Sequence, residues 1–245
     1  TFAQARDLSI QAMRNQLEHV TTASQSGISV PGSGTDAYYD AIWDNDRFVA
    51  VGNNGRLITS ADGSTWTTQT TPTSSALNKV LFNKWAVGER GVPEYIVVGK
   101  DGVILTSNNT TTWYSKTTPV TKDLNAVAYD GTTYVVVGED GTVLTSQNGN
   151  TWVSQTSGTG NDLKDLIYND DYDAFIAVGA LGKIIKSTDS GVTWTTLESG
   201  DTTNNIEGIS WTEGTMVAVG HSMQLYISDD GGDTWETNTV TNEVT

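Results

Sequence analysis

The strongest constraint on the fold is a short polar string that recurs five times along the chain and always ends in tryptophan. Each copy begins with Ser, has Asp or Asn two positions later, and closes on Thr-Trp. The Ser, Asp or Asn, and Trp positions are Ser60, Asp62 and Trp66; Ser107, Asn109 and Trp113; Ser146, Asn148 and Trp152; Ser187, Asp189 and Trp194; and Ser228, Asp230 and Trp235. Ser and Asp/Asn oxygens accept hydrogen bonds from nearby backbone N–H groups, and Thr-Trp suits a strand. The repeat therefore predicts turns between β-strands.

The last two copies, residues 187–194 and 228–235, read Ser-x-Asp-x-Gly-x-Thr-Trp and resemble the Asp-box (BNR) repeat. The first three copies are one residue shorter, and two of them carry Asn in place of Asp. The resemblance implies a β-propeller in which the box residues are structural. Acidic strings also occur in calcium loops, but no copy here has the closing Glu ligand. We therefore predict no metal site and no cofactor.

The segments between the boxes repeat as well. In each unit a first strand is followed by a second strand that ends in Val-Gly, a third that runs into the box Ser, and a fourth that starts at the box Trp. The Val-Gly glycines are Gly52, Gly99, Gly138, Gly179 and Gly220. A spacing of roughly forty residues with four strands per unit is typical of propeller blades. We predict an all-β, five-bladed β-propeller of four-stranded antiparallel blades over residues 37–245, closed into a ring. The alternative is that missing blades come from another chain.

The first residues differ from the repeat. Ile10, Met13, Leu17 and Val20 fall at three- and four-residue steps, which predicts a short amphipathic helix over residues 1–23. Residues 24–36 are rich in Ser, Thr and Gly and read as a linker. The apolar stripe of the helix must be covered, either by its own domain or by other protein subunits of an assembly. We take it as a candidate anchor helix.

The second unit carries an insertion between its first and second strands, at the end of the blade where the boxes lie. It contains Trp85, Glu89 and Arg90. Trp and Arg are enriched in binding hot spots, so this loop is a candidate interaction loop. The plainer alternative is that Trp85 folds back onto its own blade as a local cover.

Charge and composition exclude several partners. The 245-residue chain has a formal net charge of −16 and no Cys. A strongly acidic surface repels polyanions, so we predict no nucleic-acid partner. No stretch has the roughly 18 apolar residues of a membrane helix, so we also predict no membrane insertion.

The enzyme interpretation comes from the sialidases, in which Asp boxes are well known. Those enzymes share an arginine triad that clamps a carboxylate, whereas the repeat region here holds Arg47, Arg56 and Arg90, which are poorly placed to converge. His19 and His221 have no evident catalytic partner. A paired-carboxylate hydrolase stays open, because acids are plentiful. We predict a protein that is not an enzyme.

A helix joined by a linker to a Thr/Ser/Asn/Gly-rich β-domain resembles bacteriophage virion proteins such as tail fibre heads. The resemblance implies a structural or adhesive protein, located in the virion or outside the cell, that binds other proteins or a cell-surface glycan or receptor. The alternatives are a lectin-like or assembly-factor propeller and a sialidase-like glycoside hydrolase. The turns after Val-Gly differ too much to make five equal sugar sites. Photosystem assembly factors have seven blades and a basic patch, and this chain has neither.

Overall fold

The computed structural model describes residues 37–86, 92–197, 199–200, 203–212 and 214–239. They form five four-stranded antiparallel sheets packed as propeller blades, so the predicted all-β class, blade number and strand number are confirmed. Residues 1–36, with the predicted helix and linker, lie outside the described residues.

Blade 1 is β1 (Tyr38–Trp43), β2 (Phe48–Gly52), β3 (Leu57–Ser60) and β4 (Thr67–Gln69); blade 2 is β5 (Leu77–Phe82), β6 (Tyr95–Gly99), β7 (Ile104–Ser107) and β8 (Tyr114–Lys116); blade 3 is β9 (Leu124–Tyr129), β10 (Tyr134–Gly138), β11 (Val143–Ser146) and β12 (Val153–Gln155); blade 4 is β13 (Leu163–Asn169), β14 (Ala174–Gly179), β15 (Ile184–Ser187) and β16 (Thr195–Leu197); blade 5 is β17 (Ile206–Thr212), β18 (Thr215–Gly220), β19 (Gln224–Ser228) and β20 (Glu236–Thr239).

Each blade is a meander in which every strand pairs with the next one in sequence. The second and third strands are joined by tight turns at Asn53–Gly55, Lys100–Gly102, Glu139–Gly141, Ala180–Gly182 and His221–Met223. In the first of these turns Asn54 and Gly55 both have positive φ, 54° and 68°. Two consecutive positive φ values define the type I′ turn, whose twist matches that of a hairpin.

The Val-Gly glycines are required by a close approach of the chain. A Cβ atom built on Gly138 would lie 2.1 Å from the carbonyl oxygen of Asp123, the residue just before the first strand of the same blade. The backbone N–H of Glu139 donates to that oxygen at 2.8 Å. A side chain at this position would separate the two segments.

The blades stack through alternate residues of their second strands. In blade 3, Tyr134 and Val136 pack in a cluster with blade 2, whereas Val135 and Val137 pack in a cluster with blade 4. All four side chains are fully buried. We call the side of a blade that meets the next blade its following face, and the opposite side its preceding face. First strands lie against the first strands of adjacent blades, which places them nearest the axis.

The ring is open between blades 5 and 1 in the part of the chain that the structure describes. Hydrophobic clusters join blades 1 and 2, 2 and 3, 3 and 4, and 4 and 5, but none spans blades 5 and 1. On the following face of blade 5, Val217 is 37 % and Val219 is 47 % exposed. The described residues therefore do not form the closed ring that the repeat pattern predicts. A strand's own sequence is the same whether or not a neighbouring sheet covers it, so the repeat pattern could not reveal the gap.

Candidate functional site

The five box turns lie between the third and fourth strands and share one hydrogen-bond pattern. In the first box, the Asp62 carboxylate accepts the backbone N–H of Thr65 at 2.7 Å, and Ser60 Oγ accepts that of Gly63 at 2.9 Å. Asn109, Asn148, Asp189 and Asp230 likewise accept the backbone N–H of the Thr that precedes Trp, at 2.8–2.9 Å. Asn fits because its side-chain amide oxygen can accept the same backbone N–H, although it carries no charge. These side chains are used within their own turns.

The box tryptophans also hydrogen-bond to the turn through their indole N–H groups. Trp66, Trp113, Trp194 and Trp235 each donate the indole N–H to the carbonyl oxygen three residues earlier, at 2.9–3.1 Å. In the third box, Trp152 Nε1 is buried without a partner. The indole rings of Trp113, Trp152, Trp194 and Trp235 also pack into the interblade clusters, so the boxes of blades 2 to 5 tie their turns to the preceding blade.

Hydrogen bonds hold the box aspartates in their charged form. The side chain and the backbone of Thr234 both donate to Asp230, which lowers the pKa of that carboxyl to about 2. The backbone N–H groups of Thr65 and Ser64 lower the pKa of Asp62 in the same way. Ionised carboxylates therefore stay at this end of the molecule well into the acid range.

The loops between first and second strands lie beside the boxes and form polar clasps between blades. Asp44, which is buried, accepts a 2.5 Å hydrogen bond from the Tyr95 hydroxyl of blade 2. Asn83 donates to the Tyr134 hydroxyl of blade 3, also at 2.5 Å. Burial raises the pKa of Tyr134 to about 12. Burial, together with the hydrogen bond to Asp44, also raises the pKa of Tyr95. Both hydroxyls therefore stay protonated and act as clasps.

Sequence reasoning missed these clasps, although a signal for them exists. In the first four units a carboxylate or amide follows the aromatic residue at the end of the first strand directly, at Asp44, Asn83, Asp130 and Asn169. When the units are aligned on that aromatic residue, these four polar side chains fall at one position. Asp130 accepts the hydroxyl of Ser190 at 2.6 Å. Asn169 occupies the same position in blade 4, but the next blade has Met216 at the position of Tyr95 and Tyr134. Asn169 Nδ2 is buried without a hydrogen-bond partner.

Exposed aromatic side chains lie in or next to the loops between first and second strands. Trp85 is 59 %, Tyr172 40 % and Trp43 37 % exposed. The ring of Trp85 lies 6.2 Å from that of Tyr129 in blade 3, and Lys84 Nζ is 4.6 Å from the Trp85 ring centre. The Trp85 ring thus contacts an aromatic residue of the next blade. Glu89 and Arg90, the other residues of the candidate interaction loop, lie outside the described residues.

Charge is distributed unevenly between the two ends of the blades. The acids in the box turns, the adjoining loops and the strand ends beside them are Asp44, Asp46, Asp62, Glu94, Asp130, Asp170, Asp171, Asp173, Asp189, Asp229, Asp230, Asp233 and Glu236; the bases described there are Arg47, Lys84 and Lys186. Arg47 pairs with Asp46, and Lys186 pairs with Asp233 at 2.6 Å. We call this end the box-end face. An open cleft of about 520 Å³ lies on it between blades 1 and 2, lined by Asp44, Arg47, Glu94 and Tyr95 among others.

The opposite end has acids and bases in balance. The acids there are Asp101, Asp123, Glu139, Asp140, Asp162 and Glu207, and the bases are Arg56, Lys100, Lys116, Lys122, Lys164 and Lys183. Several are paired: Lys122 with Asp140, Lys100 with Asp123 at 3.5 Å, and Lys164 with Asp162 at 3.1 Å. His221 lies in an exposed turn at this end, 3.1 Å from Glu207. The net negative charge of the described blades is therefore concentrated on the box-end face.

The axis holds a pair of carboxylates joined by a lysine. Lys79 Nζ lies 3.9 Å from Asp40 Oδ1 and 3.5 Å from Asp165 Oδ1. Desolvation raises the pKa of Asp40, although Lys79 acts in the opposite direction. Each carboxylate also accepts a backbone N–H of the following blade, Asp40 from Val80 at 2.9 Å and Asp165 from Ile209 at 3.1 Å. Their hydrogen-bond capacity is thus used to fasten one blade to the next.

The described residues also bear on a metal site, a membrane span and an arginine triad. Among them no group of three His, Cys, Asp or Glu side chains could hold a metal ion. In the described ranges, no helix combines the length and apolar character needed to cross a membrane. Arg47 is engaged by Asp46, and Arg56 stands at the start of β3 at the opposite end. The candidate anchor residues Ile10, Met13, Leu17 and Val20 lie outside the described part.

Residues 94–207 match the family described as the DUF6242 beta propeller domain. The match covers a little under half of the chain. No curated protein matches the sequence.

Solved structures with a similar fold include two of YCF48 and one of a GH74 enzyme. YCF48 bound to a D1 peptide is 18 % identical with a TM-score of 0.54, and the alignment covers 89 % of each chain. YCF48 from Cyanidioschyzon merolae is 16 % identical with a TM-score of 0.51, covering 85 % of this chain and 87 % of that one. The GH74 enzyme of Niastella koreensis is 19 % identical with a TM-score of 0.61, covering 84 % of this chain and 30 % of that enzyme. The shared fold is the β-propeller. At these identities the likeness extends to the fold alone.

Proposed function

We propose that this chain is a non-enzymatic binding propeller that holds a cationic segment of a partner protein on its box-end face. The observation that carries the proposal is the concentration of carboxylates at that end, where the described bases are few and two of the three are already paired. A surface of one sign attracts segments of the opposite sign and speeds their encounter.

The exposed aromatic side chains on the same face support a protein partner. Trp85, Trp43 and Tyr172 offer flat apolar surfaces on this face, and Tyr172 stands between Asp171 and Asp173 in the sequence. Lysine and arginine bind such pairs well, since the charged group meets the carboxylate or the ring face while the aliphatic stem covers the ring. The cleft between blades 1 and 2 gives an extended segment a place to lie. A propeller of the same fold, YCF48, has been solved bound to a peptide.

The two carboxylates near the axis, Asp40 and Asp165, also fit a binding protein better than a glycoside hydrolase. Glycoside hydrolysis needs one carboxyl to move a proton and another to act as nucleophile or base. Asp40 and Asp165 share Lys79 and each accept a backbone N–H, so neither is free for that work. The finer predictions of a virion component, a receptor or glycan ligand and a virion or extracellular location stay predictions; none of the three structures compared above is a phage protein.

The proposal is tested with a synthetic peptide of alternating Lys and Tyr, with a Glu-Tyr peptide as control, by calorimetric titration. We expect the Lys peptide alone to bind, more weakly at ~0.5 M salt than at low salt because exposed charges are screened. The double variant Asp170→Asn/Asp171→Asn should weaken binding by roughly tenfold, since these exposed acids form the electrostatic surface.

The matched control removes two exposed acids from the opposite end, in Asp101→Asn/Asp140→Asn. It should leave the dissociation constant within about twofold, because those charges are distant and balanced. Equal weakening by both double variants would mean that net charge and not the box-end face attracts the peptide, and the proposal would be wrong. Binding that ignores salt would also contradict it.

A further inference from the structure

The preceding face of blade 1 is buried over part of its width, although no hydrophobic cluster of the described residues joins it to another blade. Ala50 on β2 and Ile58 on β3 lie opposite each other in the strand register and share this face. They are only 5 % and 2 % exposed. The clusters of the described residues contain neither of them and join only the consecutive blades from 1 to 5. We call Ala50 and Ile58 the covered pair.

The other end of the array shows how an uncovered face differs. Val217 and Val219, on the following face of blade 5, are 37 % and 47 % exposed, and Leu225 and Ile227 on the same face are partly exposed. Their strands β18 and β19 are the two inner strands of blade 5, as β2 and β3 are of blade 1. Neighbours within one sheet therefore do not bury a side chain that points out of it, and the covered pair needs further atoms above it.

The cover on blade 1 is narrow. Ala41 on β1 and Thr68 on β4 flank the covered pair in the same row of the register, and both are exposed. The cover therefore lies over β2 and β3 and leaves the strands on either side open. Because adjacent strands are about 4.8 Å apart, the covered strip is roughly 10 Å wide. That is about the width of one α-helix with its side chains, and less than that of a four-stranded blade.

The chain before blade 1 contains a segment of suitable size. Residues 1–36 join the fold at Ala37, whose carbonyl oxygen accepts a backbone N–H from the turn after β2 at 2.9 Å. Their sequence predicts a helix over residues 1–23, with an apolar stripe from Ile10 to Val20 that is about 15 Å long at 1.5 Å per residue. The strands β2 and β3, at about 3.3 Å per residue, are of similar length.

The predicted linker is long enough for this helix to reach the face. Residues 24–36 can span up to about 45 Å when extended, which exceeds the dimensions of a single blade. Residues 240–245, which also lie outside the described part, follow the outer strand of blade 5 and include two aliphatic side chains, Val240 and Val244. The stripe of residues 1–23 is therefore the better match to the buried strip.

We propose that the predicted helix of residues 1–23 packs its apolar stripe on the preceding face of blade 1, over the covered pair. A helix on the face of a sheet buries the apolar surface of both elements. The opposite side of the helix, with Gln11, Asn15 and Glu18, then faces solvent, as in the terminal capping units of other repeat proteins. The stripe is thus covered by its own domain and not by another subunit, and the array keeps one covered and one open end.

The test is thiol labelling of the full chain, which has no Cys of its own. Ile58→Cys places a single thiol under the proposed helix. Leu57→Cys places one on the opposite face of the same strand, where Leu57 is fully buried against blade 2. We expect both thiols to react with maleimide at least about tenfold more slowly than a free thiol, because buried thiols react poorly.

Two double variants of the helix then identify the cover. Met13→Asp/Leu17→Asp puts two charges into the apolar stripe and should raise the labelling rate of Ile58→Cys about tenfold or more, since a buried unpaired charge detaches the helix. The rate of Leu57→Cys should stay low. Gln11→Asp/Asn15→Asp adds the same charges at the same spacing to the opposite side of the predicted helix, and should leave both rates within about twofold.

Several results would overturn the proposal. Rapid labelling of Ile58→Cys in the otherwise unchanged chain would show that nothing covers the face, and protection that persists in Met13→Asp/Leu17→Asp would assign the cover to another element. Equal loss of protection in both double variants would trace the effect to charge and not to the stripe. Opening of Leu57→Cys together with Ile58→Cys would mean that the whole blade is disturbed. Protection that disappears on dilution would assign the cover to a second copy of the chain.

Discussion

At the scale of single residues, the box shows how different side chains make the same turn. Asp230 and Asn148 both accept the N–H of the Thr before Trp at 2.9 Å. The carboxylate does more than the amide, because Thr234 also donates its hydroxyl to it. Because these hydrogen bonds favour the charged form of the carboxyl group, they lower the pKa of Asp230.

Asp230→Asn should lower stability at neutral pH, by up to about 1 kcal/mol because the group is largely exposed and a single charge-assisted hydrogen bond is lost. The folded pKa of about 2 lies below the usual 3.8, so the stabilisation is complete above about pH 4 and fades as the pH falls towards 2. Urea unfolding at pH 7 and pH 3 measures this. The gap in unfolding free energy between variant and parent should narrow at pH 3. A gap that is independent of pH would refute the assignment.

At the scale of elements, the unit of this fold is a pair of blades joined by an apolar cluster and a polar clasp. The Tyr95 hydroxyl of blade 2 reaches Asp44 of blade 1, and both groups are buried. A buried carboxylate without its donor costs more than the hydrogen bond itself contributes.

Tyr95→Phe should therefore destabilise the protein by about 1–3 kcal/mol, the usual penalty for leaving a buried polar group unsatisfied. Tyr114→Phe, in an outer strand with 60 % of the side chain exposed, is the matched control and should change stability little. Guanidinium unfolding of both variants at pH 7 checks the prediction. If Tyr95→Phe proves as mild as the control, the clasp has no energetic role.

The elements were largely predictable from the sequence, because their signals are local. The box turns, the Val-Gly ends and the aromatic ends of the first strands repeat with the chain, so strand number and blade number followed from spacing. The clasps at Asp44 and Asn83 were missed, although they recur beside those aromatic residues. The position of Trp85 against Tyr129 could not be predicted, since it depends on how two blades lie beside each other.

At the scale of the whole molecule, two features emerge only from the assembled blades. Carboxylates from distant loops collect on the box-end face, and the array stays open between blades 5 and 1 in the described residues. The sequence of β18 ends in Val-Ala-Val-Gly, the same as that of β2, whose two valines, Val49 and Val51, are fully buried. Closure is a property of the two end faces together and has no local signal.

The most direct test of the open array is the chemical accessibility of one valine position in two blades. Because the chain has no Cys, Val219→Cys and Val137→Cys each provide a single thiol at equivalent positions of blades 5 and 3. Maleimide labelling is followed under native conditions at sub-micromolar protein concentration, where association between protein molecules is negligible. We expect Val219→Cys to react at nearly the rate of a free thiol and Val137→Cys to be protected at least about a hundredfold, as a fully buried thiol is. Equal protection at both positions would show that the ring is closed and would contradict the open array.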